Sequence, residues 1–205
     1  MPRLREKQKL EVRKSLLDHG LDLIRRQGLG PTTVEEITRA AGVAKGTFFN
    51  HFPSKESLLY DFIQRETDRI MKEAMGFHPG QARAALRSIG AALARFGMEN
   101  QRLLLDLGSF KGSLRESERD HDDRIRGRLV RLIEEDESVD PAWCRAMAAR
   151  FVGLVLAAIS GTVHEWRLSA GEADLGTLLA DRIDMLLLLL PAGRAERAKP
   201  GGETR

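Results

Sequence analysis

The stretch TTVEEITRAAGVAKGTFFNHF, residues 32–52, decides the fold. Thr33 precedes a segment with helical spacing of apolar residues, and Glu36 follows three positions later, which is the pattern of a capping box at a helix start. Gly42 ends this helix and can take the left-handed conformation that a sharp turn needs. A second short helix is expected over 45–52. The stretch therefore predicts two short helices joined by a tight turn, with Val43 buried between them.

The rest of the chain also has the pattern of helices. Alternating β-branched residues typical of strands are absent, while Ala, Leu, Arg and Glu dominate. A first helix is expected from about Lys9 to Gln27, and a fourth from Lys55 into the mid-70s, capped by Ser54. Further helices are expected over 81–107 in two pieces, 114–135, 141–166 after the cap Asp140, and from the cap Asp174 to Pro191. The sequence predicts an all-α fold.

Composition and charge restrict the setting in which the chain works. Among its 205 residues is a single cysteine, Cys144, which excludes an internal disulfide framework and fits the reducing cytoplasm. The charged N-terminus lacks the apolar core of a signal peptide, and the longest apolar run, 185–190, is too short to span a bilayer. No membrane partner is expected.

Positive charge is concentrated at the N-terminus. Residues 1–14 hold six Lys and Arg against two Glu. A basic arm of this kind suits a polyanion such as DNA, and a solvated tail is the alternative.

A pair of short helices around a glycine turn has the geometry of a helix-turn-helix, whose second helix lies in the major groove of DNA. An ordinary helix pair in an all-α core has the same spacing, so this pair alone does not indicate DNA binding. The pattern over residues 13–63 is more specific. RKSLLDHGLDLIRRQG (13–28), TTVEEITRAAGV (32–43) and KGTFFNHFPSKESLLYDFI (45–63) resemble the N-terminal domain of the TetR family of transcriptional repressors. The resemblance implies a three-helix DNA-binding head followed by an all-α domain that dimerises and binds a small ligand.

The domain organisation follows from the resemblance and from Gly and Pro at 76–80. We expect a helix-turn-helix domain with its basic arm over 1–54, a connecting helix over 55–79, a ligand-binding and dimerisation domain over 80–190, and a disordered tail over 191–205. The helices over 148–168 and 175–191 are apolar on more than one face, and a helix of this kind needs a partner beyond its own domain. A homodimer through the last two helices is therefore expected, bound to a palindromic operator in double-stranded DNA, with a purely internal core as the alternative.

The resemblance also implies which residues contact DNA. Lys45 and Asn50 are expected at base edges, Thr47 at a phosphate, and Gly46 where backbone must approach closely. The remaining expected contacts are Thr33, Phe49, His51 and Lys55.

Two positions depart from the family pattern. Phe49 stands where the family usually has Tyr, so no phenol is present to bond a phosphate. Ala44 stands where a Ser is frequent, which removes an N-cap worth about 1 kcal/mol. Both departures are expected to lower the affinity for DNA.

A ligand pocket is expected among the fourth to eighth helices. Its proposed lining is Phe96, Phe110, Met147 and Phe151, although plain core is the more frequent role for each of these residues. Such a lining favours a small hydrophobic effector.

Enzymatic readings find little support. GVAKGT is not a phosphate-binding loop, because a helix precedes it and Gly46 separates Lys45 from Thr47. RDHDDR at 119–124 could hold a metal through His121, but a solvated helix face fits better because arginines alternate with aspartates. Neither a catalytic site nor a cofactor is predicted. The remaining alternatives are a helical interaction module that does not bind DNA and an effector-dependent activator.

Overall fold

The computed structural model describes residues 2–77, 80–108 and 115–191. Over these ranges the predicted all-α class is confirmed. The helices are α1 Pro2–Gln27, α2 Val34–Ala40, α3 Lys45–Phe49, α4 Lys55–Phe77, α5 Ala82–Glu99, α6 Gln101–Gly108, α7 Arg115–Glu134, α8 Pro141–Leu168 and α9 Leu175–Leu187. The predicted pocket residue Phe110, residues 78 and 79 of the predicted linker, and the predicted tail beyond residue 191 lie outside the described residues.

Helix starts follow their predicted caps. The Oδ1 of Asp140 accepts the backbone N–H of Ala142 at 2.8 Å, and that of Asp174 accepts the N–H of Gly176 at 2.9 Å. The N–H of Ser57 donates to Ser54 Oγ at 3.2 Å, which caps α4. Each cap satisfies an N–H that has no partner inside its helix.

Three predicted ends are wrong. α1 begins at Pro2 and not near Lys9, because proline is tolerated in a first turn and the charged residues that follow are good helix formers. α3 ends at Phe49 and not at Phe52, and α9 ends at Leu187 and not at Pro191. In both cases a proline follows four residues later, and it has no N–H to bond the carbonyl of that last helical residue while its ring crowds the same carbonyl.

The chain forms two compact units, and unit 1 comprises Met1–Glu66 together with Asn100–Leu114. Its core gathers apolar side chains from α1, α2, α3, α4 and α6. Gly20 lets α1 approach α4 closely, since a Cβ there would lie 2.9 Å from a methyl carbon of Leu58. The buried core residues are Leu16, Leu17, Leu21, Ile24, Leu29, Ile37, Phe48, Phe52, Leu58, Leu59 and Leu103.

Helix α6 joins unit 1 although it lies far along the chain from the other helices of that unit. Leu103 is buried in the core of unit 1. The Asp106 carboxylate accepts the backbone N–H of Leu29 at 2.7 Å, and Arg25 donates to Asn100 Oδ1 at 3.1 Å. α6 therefore holds the loop between α1 and α2, a contact that no local pattern in the sequence announces.

Unit 2 comprises Thr67–Glu99 and Arg115–Arg205. Within it α5 packs closely on α9, because a Cβ at Gly90 would overlap the side chain of Ile183. The buried Asp136 carboxylate accepts the N–H of Ala82 at 2.7 Å and so caps α5. Arg182 of α9 donates to the hydroxyl of Thr162 in α8 at 2.7 Å.

Helix α8 is long and apolar enough by length and composition to cross a bilayer, and it is the one such helix among the described residues. The core helix of a soluble protein passes the same test, so this property assigns no membrane role. About 28% of the apolar window is buried within the chain, which leaves much of its apolar surface open.

Candidate DNA-binding surface

The turn between α2 and α3 is built as the sequence predicts. Thr33 Oγ1 accepts the N–H of Glu36 at 3.2 Å, and the Glu36 carboxylate accepts the N–H of Thr33 at 2.8 Å, which completes the capping box. Gly42 has φ +68°, the left-handed conformation that costs a residue with a Cβ roughly 1–2 kcal/mol. Val43 is half-buried against the core of unit 1. These features fix the direction in which α3 leaves α2.

Helix α3 divides into a buried and an exposed face. Phe48 is fully buried and Phe52 nearly so, and burying each such ring stabilises the fold by roughly 1.5–3 kcal/mol. Phe49 is 51% exposed, and the rings of Phe48 and Phe49 meet edge to face at 5.5 Å. The two buried rings therefore lock α3 in place while its other face meets solvent.

The exposed face carries the residues expected at base edges. Lys45, Gly46, Phe49 and Asn50 are all exposed, and Thr47 is half-buried. A Cβ added at Gly46 would meet no atom within 4 Å, so the surface there is open. The structure thus brings five of the predicted contact residues onto or beside one short helix. Ala44 makes no side-chain cap at its start.

Lys45 is not free in the isolated chain. Its ammonium bonds to the carboxylate of Glu35 on α2, and both side chains are more than half exposed. The hydrogen bond from Lys45 is the largest cause that lowers the pKa of Glu35. Exposed ion pairs of this kind are weak, so a phosphate or guanine edge could displace Glu35. Sequence reasoning missed Glu35, although its place in the first turn of α2 would put it near the start of α3.

His51 follows α3 and is half-buried. Burial lowers its pKa from 6.5, and the charges of Arg13 and Lys9 lower it further. Arg13 Nη1 donates to the backbone carbonyl of His51 at 2.6 Å, and Nη2 donates to Asp61 at 2.7 Å. The guanidinium also lies 4.2 Å above the Phe52 ring. Sequence reasoning missed this role of Arg13, although Arg13 precedes the buried Leu16 and Leu17 by one turn on the same helix face.

The side chain of Lys55 bonds to the chain itself, whereas a contact to DNA was expected. Its ammonium donates to the backbone carbonyls of Leu29 at 2.6 Å, Gly30 at 2.8 Å and Thr32 at 2.7 Å. An ammonium has three N–H donors, so all of them are used inside the chain. In this conformation Lys55 clamps the loop between α1 and α2 and has no donor left for a phosphate.

The described members of the expected ligand set are Phe96, Met147 and Phe151, and they differ in exposure. Phe151 is buried in the core of unit 2, edge to face with Trp143 at 5.7 Å. Phe96 is also buried, whereas Met147 is 37% exposed. A groove of about 670 Å³ in unit 2 is lined by Arg87, Ala91, Ala94, Arg95, Met98, Glu99, Gly176, Ala180, Ile183 and Asp184, and by none of these three.

The alternative metal site also finds no support over the described residues, where no group of three His, Cys, Asp or Glu side chains has the arrangement of a metal site. His121 is buried and not solvated as expected, with its Nδ1 3.9 Å from the Asp68 carboxylate. Burial is the main cause that lowers its pKa.

Comparison with known proteins agrees with this geometry. Residues 16–61 match the family described as bacterial regulatory proteins, tetR family. The chain is 30% identical to the HTH-type transcriptional regulator TcmR of Streptomyces glaucescens over 98% of this chain and 92% of that one. It is 27% identical to the HTH-type transcriptional regulator AcrR of Shigella flexneri over 95% of this chain and 97% of that one.

The fold has solved counterparts. The structure of the TetR family repressor FadR of Thermus thermophilus, in complex with lauroyl-CoA, superposes with a TM-score of 0.64 at 23% identity and covers 93% of this chain and 100% of that one. The matched segment contains the capping box, the Gly42 turn and the recognition helix α3 described above, and the relationship to TcmR spans nearly the whole chain. The chain belongs to the TetR family of DNA-binding transcriptional regulators.

Proposed function

We propose that this regulator is a sequence-specific repressor that binds a palindromic operator as a homodimer and is released by a small hydrophobic effector. The observation that carries the proposal is the exposed face of α3, which the Gly42 turn and the buried rings of Phe48 and Phe52 hold in a fixed direction. A short helix presented in this way fits the major groove.

Each proposed contact residue has a role that its chemistry suits. Lys45 and Asn50 read base edges, with Lys45 leaving Glu35 for a guanine acceptor. Thr47 and His51 bond phosphates, Thr33 does so by exchanging its hydroxyl hydrogen bond to Glu36 for a phosphate oxygen, and the open surface at Gly46 admits the DNA backbone. The exposed ring of Phe49 packs on sugar or on a thymine methyl group. Lys55 acts by holding the loop before α2 and not by binding DNA directly. The set of proposed contacts is therefore Thr33, Lys45, Gly46, Thr47, Phe49, Asn50 and His51.

Dimerisation through α8 and α9 is supported by large apolar side chains that meet solvent in the single chain. Exposure is 53% for Leu154 and 76% for Leu168 on α8, and 63% for Met185 and 84% for Leu188 at the end of α9. Apolar side chains on two adjacent helices are typical of an interface between subunits. A two-fold dimer places two recognition helices on successive turns of a palindrome, about 34–36 Å apart.

The proposed effector site lies in the C-terminal domain, residues 80–190, of which α6 packs in unit 1, and the proposed DNA-reading function lies in residues 1–54. The lauroyl-CoA in the structure of FadR from Thermus thermophilus favours a ligand with a long apolar chain. Helix α4 contributes residues to both compact units, so a shift of α4 is the proposed link. The effector lowers DNA affinity only by as much as it prefers the conformation that does not bind DNA. A regulator that works in this way acts in the cytoplasm.

Selection of bound sites from random duplex DNA tests the proposal. We expect a palindromic site, and we expect the variants Lys45→Ala and Thr47→Ala to weaken its binding in a gel-shift assay. A helical interaction module would select no site at any salt concentration. Light scattering at micromolar concentration must show a dimer, and a monomer would refute the proposed interface.

Release by an effector has its own assay. Lauroyl-CoA added to the complex with the selected site is expected to reduce the bound fraction. A reporter gene behind that site separates repression from activation, because deletion of the regulator raises expression only if it represses.

A further inference from the structure

The first three turns of α1 carry a stripe of positive charge that the recognition helix does not account for. Residues 5–11 are all exposed, so this part of α1 extends away from the core of unit 1. Arg5, Lys9 and Arg13 recur every four residues and lie along one side of the helix. Arg5 and Lys9 make no ion pair or hydrogen bond with the part of the chain that the structure describes. Two cations therefore stand in water at a rigid spacing.

The direction of this stripe is set by its third member. Arg13 bonds the His51 carbonyl just after α3, at 2.6 Å, and its guanidinium covers the Phe52 ring. Lys9 lies close enough to His51 for its charge to lower the pKa of that imidazole. Arg5 lies one turn beyond Lys9 on the same side. The stripe thus begins at the C-terminal end of the recognition helix and continues outward from it.

The other cations of the same segment lie elsewhere on the helix. At about 100° per residue, Lys7 and Lys14 lie roughly 140–180° around α1 from Arg5 and Lys9. Lys7 lies 3.9 Å from the Glu11 carboxylate, and Lys14 is exposed. Besides Arg13, residues 5–14 therefore hold two matched pairs of positive charges, of which one pair continues the DNA-reading surface and the other lies away from it.

From this placement, and on the basis of the proposed function, we infer that Arg5 and Lys9 bind the DNA phosphates beside the half-site read by α3. The occupant is the DNA backbone because the stripe is continuous with the DNA-reading surface and its charge is complementary to phosphate. Arg5 and Lys9 are one helical turn apart, which separates them by about 6 Å along the axis of α1. The arm thus acts as a rigid extension of α1 and not as a flexible tail.

The test compares two double variants with the same change in net charge, Arg5→Gln/Lys9→Gln and Lys7→Gln/Lys14→Gln. The probe is the duplex selected from random DNA by the wild-type protein, and fluorescence anisotropy gives Kd over a range of salt concentrations. Each lost phosphate contact reduces the slope of log Kd against log salt by about 0.9. For two contacts in each of two protomers, the first variant loses about 3 to 4 units of slope.

The ratio of the Kd of Arg5→Gln/Lys9→Gln to the Kd of the wild type should fall by about 100-fold as the salt concentration rises from roughly 50 mM to 200 mM. Lys7→Gln/Lys14→Gln should keep nearly the wild-type slope. Ethylation of individual phosphates should interfere with wild-type binding beside each half-site, and that interference should disappear in the first variant alone.

Slopes reduced equally in the two variants would overturn the inference, because the arm would then act only through net charge. A wild-type slope in both variants would also overturn it, and would leave the stripe as a solubilising surface or as a site for an acidic protein. If the wild type selects no DNA site, the proposed function itself fails, and this outcome is distinct from the other two. Circular dichroism checks that both variants keep their helix content.

Discussion

Replacing Lys55 by Met separates a structural role from a DNA-binding one. The ammonium satisfies the carbonyls of Leu29, Gly30 and Thr32, and the hydrogen bonds to Leu29 and Thr32 are partly buried. An acceptor left unsatisfied in a buried place costs roughly 1–3 kcal/mol, whereas the exposed carbonyl of Gly30 can turn to water. Methionine keeps the length of the side chain and removes only its donors. Two such acceptors would cost about 2–6 kcal/mol if fully buried, and because both hydrogen bonds are only partly buried we expect the free energy of unfolding to fall by about 2–4 kcal/mol.

Urea unfolding followed by far-ultraviolet circular dichroism measures this loss as a lower midpoint. Lys45→Met is the matched control, since Lys45 bonds only to the exposed Glu35, and its midpoint should stay near the wild-type value. DNA binding should show the reverse pattern. Lys45→Met should weaken binding and relax the preference for one base of the selected site, while folded Lys55→Met keeps the wild-type affinity and salt slope.

One result would refute the assigned role of Lys55. If Lys55→Met unfolds at the wild-type midpoint and at the same time loses salt dependence in DNA binding, the three carbonyl contacts are not important for stability. Lys55 would then be a phosphate ligand, as the family resemblance implies. Hydrogen exchange of the amides in residues 28–33 gives an independent readout, because loss of the clamp should raise exchange there first.

Two further predictions concern the turn and the histidine. Gly42→Ala should lower the free energy of unfolding by roughly 1–2 kcal/mol because the φ of Gly42 is +68°. Gly46→Ala should not destabilise the fold, but it should weaken DNA binding because a methyl group would occupy the open surface. Equal DNA affinity of Gly46→Ala and wild type would argue against a close approach of DNA to Gly46. The pKa of His51 is lowered from 6.5, mainly by burial, and a phosphate favours the protonated ring. DNA affinity should therefore rise as the pH falls from about 8 to about 6, and His51→Gln should flatten this rise; a wild-type pH profile in that variant would remove His51 from the interface.

Much of unit 1 was predictable because its signals are local. The capping box at Thr33, the left-handed Gly42 and the buried Phe48 and Phe52 depend on residues within a few positions of each other. Helix ends were less predictable, since Pro53 and Pro191 remove the hydrogen bond to the carbonyl four residues before them and so end a helix earlier than the proline itself. The start of α1 was placed too late because a run of charged residues carries no apolar period.

The candidate site was predictable in position and only partly in chemistry. Sequence placed Lys45, Gly46 and Asn50 on the recognition helix, where they are exposed. It could not foresee that Glu35 pairs with Lys45 or that Arg13 bonds the carbonyl of His51. These partners are 10 and 38 residues apart in the chain. A contact over such a separation produces no periodic pattern in the sequence from which it could be predicted.

By itself, the sequence determined the all-α class, the helix-turn-helix and the family, because helix periodicity, caps and a glycine turn are written in neighbouring residues. Only the tertiary structure decided that α6 joins the DNA-binding unit through Asp106 and Leu29, that Lys55 serves the loop before α2, and that Arg13 directs the basic stripe of α1. The physical reason is that hydrogen-bond donors and charges choose their partners by distance in space, and distance in space is set only when the helices have packed.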